Sequence, residues 1–270
     1  MRILPKKSLG QNFLIDQNIR LKIINSLDLK PDDIVLEVGS GRGELTGLIA
    51  AKIKQVYGIE IDKRLYDLLT QTLSERKNIQ IINQDILKFD LAGFIKENKT
   101  KSRIKVFGNI PYYISSPIIE RLLNFRQSLS AIFITVQKEF AKRVVSLPGN
   151  KDYGSFSCFV QYYTLPRIIF EISKNCFKPA PKVDSAFLEL KIREFPAVLV
   201  KDEGLLFSII RTAFNQRRKT LKNSLLGLVS PEALDIFFKQ SSLNPKTRPE
   251  CLTLENFALL ANTQYLLKNT

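Results

Sequence analysis

A glycine-rich segment near the start of the chain has the spacing of a ligand-binding turn. Residues 37–44 read Glu-Val-Gly-Ser-Gly-Arg-Gly-Glu, between an apolar run and the start of a helical pattern. Gly39 and Gly41 permit a tight turn and a close approach of a ligand to the backbone. A dinucleotide fingerprint needs a glycine at position 44, where this chain has Glu44, and a carboxylate at a helix start repels a pyrophosphate. The segment therefore favours a ligand with a cationic centre and no phosphate, which indicates S-adenosylmethionine; a purely structural turn is the alternative.

Two acidic residues follow at the ends of the next predicted strands. Glu60 follows Gly43 at close to the spacing of roughly 20 residues at which an acid binds the ribose hydroxyls in nucleotide-binding sheets. Asp85 comes just after the third predicted strand, where a carboxylate can accept a hydrogen bond from an adenine amino group. Each alone is equally an exposed loop acid or a helix cap. Together with the glycine loop, they predict a site for an adenosyl ligand.

Asn109-Ile110-Pro111-Tyr112 ends the fourth predicted strand. This Asn-x-Pro-Tyr tetrad is similar to the active site of methyltransferases that act on adenine N6 and other amino groups. Three more segments resemble motifs of the ribosomal RNA adenine dimethyltransferases, in order along nearly the whole chain. They are residues 7–14 (Lys-Ser-Leu-Gly-Gln-Asn-Phe-Leu), 177–185 (Phe-Lys-Pro-Ala-Pro-Lys-Val-Asp-Ser) and 213–221 (Ala-Phe-Asn-Gln-Arg-Arg-Lys-Thr-Leu). The last of these is like the helical-domain motif of the small-subunit branch of that family.

The chemistry that this resemblance implies explains the residue types of the tetrad. An adenine amino group is a poor nucleophile because its lone pair is delocalised into the ring, and it gains positive charge as it attacks a sulfonium methyl group. Two acceptors aimed at the amino protons stabilise that charge. By resemblance, these are the side-chain oxygen of Asn109 and the backbone carbonyl of Ile110, with Pro111 fixing the turn. Tyr112 would stack on an adenine that has left its helix, and Phe177 would cover the other face.

The resemblance also implies a cofactor, a substrate and the residues that hold them. The implied S-adenosylmethionine site consists of Asn12, Leu14, Gly39, Gly41, Glu60, Asp85 and Asn109. The implied substrate is a hairpin of small-subunit rRNA, or a precursor of the small ribosomal subunit, in which two adjacent adenosines are dimethylated at N6. We therefore expect a role in small-subunit biogenesis.

The charge balance of the chain agrees with a nucleic-acid partner. Lys and Arg total 41 against 26 acids, a formal net charge of +15. Such an excess favours polyanions because each neutralised phosphate releases counterions, although solubility alone would also explain it. One basic cluster contains no intervening acid: Arg211, Arg217, Arg218, Lys219 and Lys222. It suits the backbone of RNA, with a solvated helix face as the alternative.

The inventory of reactive residues excludes several classes of enzyme. The chain has no histidine, which removes Ser-His and Cys-His pairs and every His-ligated metal site. Cys158, Cys176 and Cys251 lack metal-binding spacing, and we expect them to be buried and reduced. No apolar run approaches the roughly 20 residues of a membrane-spanning helix, and no apolar stretch follows the basic residues at 1–7. We expect a monomeric cytoplasmic protein that uses no metal.

The elements that must position these residues alternate between strand and helix. The predicted strands are 34–38, 55–59, 79–83, 104–107 and 129–136, with 168–172 and 187–192 as a closing pair, and the predicted helices among them are 44–53, 63–75 and one across 156–163. This alternation predicts an α/β fold with a doubly wound, mostly parallel sheet, the Rossmann-like fold of S-adenosylmethionine-dependent methyltransferases. The glycine loop, Glu60, Asp85 and the tetrad each follow a different strand.

The pattern changes after residue 196, where strand-like runs stop. Helical segments follow at about 203–214, 219–226, 231–238 and 254–267, and Ser230 and Thr253 are predicted N-caps. We therefore predict a catalytic domain over residues 1–195 and a small all-helical, rRNA-binding domain over 196–270.

Three other functions are compatible with parts of this pattern. A relative that confers antibiotic resistance methylates an adenine of the large subunit, but the motif at 214–219 and the helical tail favour the small-subunit branch. A non-catalytic RNA-binding assembly or transcription factor could use the same fold, although the tetrad and glycine loop here are intact. DNA methyltransferases share the tetrad, and competition between DNA and RNA substrates would separate the two.

Overall fold

The computed structural model describes residues 3–98 and 103–269. Met1 and Arg2, the first of the basic residues considered above, lie outside the described residues. Contacts divide the chain into two compact units, one of residues 1–141 and 167–192, the other of 142–166 and 193–270. In the described ranges, no helix combines the length and apolarity needed to cross a bilayer.

The chain forms nine strands and eleven α-helices in the described residues. The strands are β1 Phe13–Leu14, β2 Ile34–Val38, β3 Gln55–Ile59, β4 Ile79–Ile82, β5 Ile104–Asn109, β6 Leu129–Gln137, β7 Thr164–Ile172, β8 Phe177–Lys178 and β9 Ser185–Ile192. The helices are α1 Gln17–Ser26, α2 Glu44–Ala50, α3 Lys63–Thr72, α4 Leu91–Glu97, α5 Ser115–Leu123, α6 Lys138–Val145, α7 Ser155–Tyr163, α8 Glu203–Asn215, α9 Leu221–Ser224, α10 Pro231–Ser241 and α11 Leu254–Lys268.

Seven strands make one sheet, in the order β4-β3-β2-β5-β6-β9-β7. Strands β2 to β6 pair in parallel, and β9 runs antiparallel to β6. The predicted mixed α/β fold with a mostly parallel sheet is confirmed. The order reverses between β2 and β5, since the chain builds outward to β4 and then returns to the other side of β2. The crevice at such a reversal is where open α/β sheets bind their ligands.

The central strands are apolar because both faces of the sheet are covered. All five residues of β2 are buried, as a parallel strand covered on both sides requires. Phe107 and Phe133 lie on neighbouring strands, and each packs against Phe187 of β9, with ring centroids 6.4 and 6.1 Å apart. Truncating any of these rings to alanine would cost about 3–5 kcal/mol. This core holds the carboxyl ends of β2, β3 and β5 in fixed relative positions.

A second, two-stranded sheet attaches the N-terminus to the segment before β9. Strand β1 pairs antiparallel with β8, with Leu14 opposite Phe177, and the Ile15 N–H donates to the Cys176 carbonyl at 2.8 Å. Strands of two residues carry no periodicity, so the sequence did not predict this pairing. The pairing fixes the path of residues 9–14.

The second unit is helical and aromatic. Helix α7 packs on α8, where the ring of Phe207 lies 5.5 Å from that of Phe159 and 5.2 Å from that of Tyr162. This packing groups residues 142–166 with 193–270, whereas the sequence analysis assigned 142–166 to the first domain. Ser230 and Thr253 cap α10 and α11 as predicted. The helix predicted over 219–226 is shorter, because Lys219 belongs to the turn before α9.

The three cysteines differ in exposure. Cys158 is buried, Cys176 is intermediate and Cys251 is exposed. The expectation of three buried cysteines is therefore confirmed for Cys158 alone; Cys176 is partly exposed, and Cys251 lies exposed in a short 3₁₀ turn before α11.

Candidate active site

A cavity of about 330 Å³ lies in the first unit where the strand order reverses. Its wall is made by five stretches of chain that the sheet brings together from distant parts of the sequence. They are residues 9–14, 37–45 (except Gly43), 59–61, 84–87 and 109–114, together with the single residues Arg20, Leu65 and Phe107. The glycine loop, both predicted acids and the whole tetrad therefore line one cavity, as does the N-terminal motif.

The glycine loop takes a backbone conformation that glycine alone adopts readily. Gly39, Gly41 and Gly43 have φ of 78°, 58° and 83°. The Gly41 N–H donates to Glu60 Oε2 at 2.9 Å, which ties the loop to the end of β3. A Cβ at Gly43 would lie 2.6 Å from Leu69 Cδ2, so α3 packs directly against this turn. The spacing of the glycines serves both the turn and its packing.

Four carboxylates share the cavity wall: Glu37, Glu44, Glu60 and Asp85. Glu60 is 4% exposed, and its two oxygens accept from the N–H groups of Gly41 and Asp62. Burial raises the pKa of Glu60 above its ordinary value. Glu37 is more deeply buried, and burial raises its pKa to about 7, although Thr46 donates to it. Glu37 is not among the predicted site residues, because its burial depends on the folded sheet.

The second predicted acid, Asp85, is also on the wall. Asp85 follows β4 and lines the cavity, and its Oδ1 accepts from the Leu87 N–H at 2.9 Å. Aspartates in loops commonly form turns through such a contact with the backbone two residues on, and here the contact orients the carboxylate.

The tetrad follows β5 on the opposite side of the reversal. Asn109 ends the strand, and its Nδ2 donates to the Asn12 carbonyl at 3.1 Å. Both donor hydrogens of an amide are on nitrogen, so this bond places Oδ1 on the other side of the amide. The Tyr112 hydroxyl is 2.6 Å from Ser185 Oγ, and burial raises the pKa of Tyr112. Pro111 packs beside Gly10, where an added Cβ would be 3.2 Å from Pro111 Cβ.

The structure does not bring Phe177 to the cavity wall. Its ring is 3% exposed and belongs to the same buried cluster as Leu14, Ile172 and Phe187. The pairing of β8 with β1 turns this side chain inward. The expectation that Phe177 covers the second face of an adenine does not fit this arrangement.

The N-terminal motif is attached to the cavity at several points. Asn12 and Leu14 line it, as predicted, and so does Gln11. The Arg42 guanidinium lies 4.4 Å from the ring centre of Phe13, and Arg42 Nη2 donates to the Ile3 carbonyl. These contacts hold the N-terminal segment against the glycine loop.

The predicted RNA-contacting residues lie in the second unit. All five are exposed: Arg211, Arg217, Arg218, Lys219 and Lys222. Arg217 also has a structural role, since its Nη2 donates to the carbonyls of Lys151 and Tyr153 at 2.8 and 3.2 Å. In the described ranges, the other four form no ion pair. Nor do the described residues contain a group of three or more His, Cys, Asp or Glu side chains able to hold a metal ion.

Comparison with known proteins connects this arrangement to a family. A relative from Caldanaerobacter subterraneus subsp. tengcongensis, named Ribosomal RNA small subunit methyltransferase A, is 43% identical over 263 residues, 97% of this chain and 98% of that protein. A relative of the same name from Lachnoclostridium phytofermentans is 44% identical over 266 residues, 97% of this chain and 92% of that protein.

Two solved structures are also similar to this chain. A dimethyladenosine transferase from Plasmodium falciparum matches with a TM-score of 0.78 and 25% identity, over 92% of this chain and 95% of that chain. The 23S rRNA methyltransferase ErmE matches with a TM-score of 0.74 and 26% identity, over 94% of this chain and 100% of that chain. The model of the family described as Ribosomal RNA adenine dimethylase matches residues 4–264. The family predicted from the sequence motifs is thus confirmed, and this chain belongs to the ribosomal RNA adenine dimethylase family.

Proposed function

We propose that this enzyme transfers methyl groups from S-adenosylmethionine to N6 of two adjacent adenosines in a hairpin of small-subunit rRNA, until each is dimethylated. The observation that carries the proposal is the position of Asn109. Its amide is held by the Asn12 carbonyl so that Oδ1 is free to accept, at the edge of a cavity that also contains the glycine loop and Glu60.

The donor set of the cavity fits S-adenosylmethionine. Glu60 and Asp85 at successive strand ends suit the ribose hydroxyls and the adenine amino group, and positive φ at Gly39 and Gly41 lets the ligand approach the backbone. Carboxylates on the wall suit a cationic ligand and disfavour a phosphate. Asn12, Leu14 and Asn109 complete the proposed site. When bound, this cofactor supplies an electrophilic methyl group on a sulfonium centre.

The residues of the chain would act on the adenine rather than on the cofactor. As N6 gains a methyl group, positive charge develops on that nitrogen. Asn109 Oδ1 and the Ile110 carbonyl would accept the amino hydrogens and stabilise the charge, because they are placed before the reaction and need not reorganise. Tyr112, held by Ser185, would stack on the base after it leaves its helix. The methylated nitrogen is acidic enough to release its proton to water, so no strong base is required.

The names of closely similar relatives support the small subunit as the proposed substrate. Proteins 41–44% identical to this chain over more than nine-tenths of its length are named for the small subunit, whereas the large-subunit enzyme ErmE is 26% identical. The exposed cluster around residues 211–222 would bind the RNA backbone and thus position the particle. The assignment of residues 1–195 to catalysis and 196–270 to rRNA binding, a monomeric state, and action in the cytoplasm during small-subunit biogenesis stay predictions.

The deciding experiment is transfer of labelled methyl from S-adenosylmethionine to small and large ribosomal subunits purified from cells that lack these modifications. Label in small-subunit RNA, recovered as N6,N6-dimethyladenine, is the expected result. Label in the large subunit would favour the resistance function, and efficient transfer to naked duplex DNA would favour a DNA methyltransferase. If the protein bound the cofactor but transferred no methyl group to any of these substrates, the fold assignment would stand and the proposed substrate would be wrong.

A further inference from the structure

Asp62 is a fully buried carboxylate next to the cofactor cavity that the chemistry above does not use. Its side chain has no exposed surface and accepts from Arg64 Nη2 at 2.6 Å and from Gln11 Nε2 at 3.1 Å, with Lys6 Nζ at 3.5 Å. The Arg64 guanidinium beside it holds the pKa of Asp62 well below its usual range, so the group is ionised. Asp62 also caps α3, but a serine would do that equally well.

Gln11 is bound at both ends of its amide. Nε2 donates to Asp62 Oδ2, and Oε1 accepts from the Lys6 N–H at 2.7 Å. Two partners fix the side chain and, with it, the local backbone. The next residue is Asn12, whose carbonyl accepts from Asn109. The buried carboxylate of Asp62, which lies just after β3, is therefore linked to the tetrad. The link runs through Gln11 and the neighbouring Asn12 carbonyl to the side-chain amide of Asn109.

Asp62 is also connected to the glycine loop. The Asp62 N–H donates to Glu60 Oε1 at 2.9 Å, and Glu60 Oε2 accepts from the Gly41 N–H at the same distance. The end of β3 thus links the N-terminal motif to the glycine loop through one chain of hydrogen bonds. The contact of Arg42 with Phe13 attaches the same segment independently, so losing Gln11 would loosen the segment without releasing it.

We propose that Gln11 and Asp62 are positioning residues that hold residues 9–14 against the cofactor cavity, so that affinity for S-adenosylmethionine and the orientation of Asn109 depend on their contact. The proposal deepens the proposed function, on which it rests for the identity of the ligand. Neither residue needs to touch the reacting atoms. Without the contact, part of the free energy of binding would be spent in ordering the segment.

The first test is Gln11→Ala, with Gln17→Ala as the control, because Gln17 is an exposed glutamine of the neighbouring helix α1. A hydrogen bond to a charged group is lost, so we expect the Kd for S-adenosylmethionine, measured by calorimetry without RNA, to rise about tenfold. The KM for the cofactor should rise similarly, while the KM for the small subunit and the Tm of the free protein stay close to wild type. Gln17→Ala should change none of these quantities.

The second test is a double-mutant cycle with Asp62→Ser. Serine keeps a capping oxygen for α3 but is too short to reach Gln11. If the two residues act through one contact, Gln11→Ala should weaken binding no further in the Asp62→Ser background. Additive losses would overturn the proposal, and so would a lower Tm in Gln11→Ala with unchanged cofactor affinity. Tight binding by both wild type and Gln11→Ala would overturn this proposal alone, whereas a wild type that binds no cofactor would overturn the proposed function as well.

Discussion

Asn109 Nδ2 donates to the backbone carbonyl of Asn12 at 3.1 Å, although the two residues are 97 positions apart in the chain. An amide side chain can point either its donor nitrogen or its acceptor oxygen at a ligand, and this bond fixes which of the two is available. The amide oxygen of Asn109 is thereby reserved for a hydrogen-bond donor, as an adenine amino group is. Under the proposed function, the N-terminal segment would contribute to the reacting end of the cavity as well as to the cofactor end.

Replacing Asn109 with aspartate should abolish most activity while preserving shape. Aspartate cannot donate to the Asn12 carbonyl, and two acceptors would then face one another. The repelled carboxylate would no longer hold an acceptor where Asn109 Oδ1 lies, so we expect kcat for small-subunit methylation to fall roughly 10²- to 10³-fold, the usual effect of losing one preorganised polar group. Asn124→Asp, at an exposed asparagine after α5, is the matched control. Wild-type turnover by Asn109→Asp would refute the role of the amide.

Tyr112 should act through its ring rather than its hydroxyl. Tyr112→Phe loses the bond to Ser185 but keeps the stacking surface, so its kcat/KM should stay within about tenfold of wild type. Tyr112→Ala removes the surface and should lose about 10- to 100-fold. Steady-state assays on undermethylated small subunits would measure both. Equal losses in the two variants would mean that the hydroxyl, and not the ring, matters.

Glu37 should make stability depend on pH. Its pKa in the folded protein is about 7, above the ordinary value of a glutamate, because burial disfavours the charged form. The folded state therefore binds a proton more tightly than the unfolded state, and the resulting stability is full below about pH 4.5 and is lost as the pH rises towards 7. We expect this contribution to reach at most about 3 kcal/mol.

The measurement is urea unfolding of wild type and Glu37→Gln from pH 4.5 to 8. Glutamine does not titrate, so the difference between the two free energies of unfolding should change over that range in favour of the variant at high pH. Contributions of titrating groups that do not interact with Glu37 cancel in the difference. A difference that does not vary with pH would show that Glu37 has an ordinary pKa.

The glycine loop offers a paired test of backbone strain. Gly43→Ala forces alanine to φ 83° and places its Cβ 2.6 Å from Leu69 Cδ2, so we expect a loss of about 1–3 kcal/mol in the free energy of unfolding. Gly47 lies inside α2, where an added Cβ meets no atom within 4 Å. Gly47→Ala should therefore stabilise by about 0.4–1 kcal/mol. In thermal unfolding, a stabilising Gly43→Ala with a destabilising Gly47→Ala, or changes of the same sign in both variants, would contradict the assignment of the strained turn.

The basic cluster of the second unit should set the salt dependence of RNA binding. Lys222 and Arg218 are exposed and form no ion pair in the described part of the chain, so each is available to a phosphate. Changing either to alanine should reduce the slope of log affinity against log salt by about 1. Lys239→Ala, on α10 outside the cluster, should leave the slope unchanged. Equal slopes in all three variants would assign the cluster to a solvated face.

The sequence by itself determined the sheet and the identity of most cavity residues. Strands 34–38 and 55–59 were predicted with their observed bounds, because a strand inside a parallel sheet is a short, mainly apolar run. Gly39, Glu60 and Asn109 could be selected because each ends a strand, and parallel strands bring such ends together. Such local patterns can be recognised in the sequence because they direct the formation of the strands and turns in which they occur.

Only the tertiary structure decided which of these residues face the cavity and what orients them. The sequence around Phe177 is compatible with either a stacking ring or a core ring, and its pairing beside β1 makes it a core ring. Residues 142–166 join the second unit through aromatic contacts between α7 and α8. The sequence pattern predicts each helix, but it does not show which helix packs against which. The contacts of Asn12 with Asn109 and of Gln11 with Asp62 cross 97 and 51 residues. Hydrogen bonds over such distances depend on where the whole sheet places two short segments, and a single sequence contains no local signal for that placement.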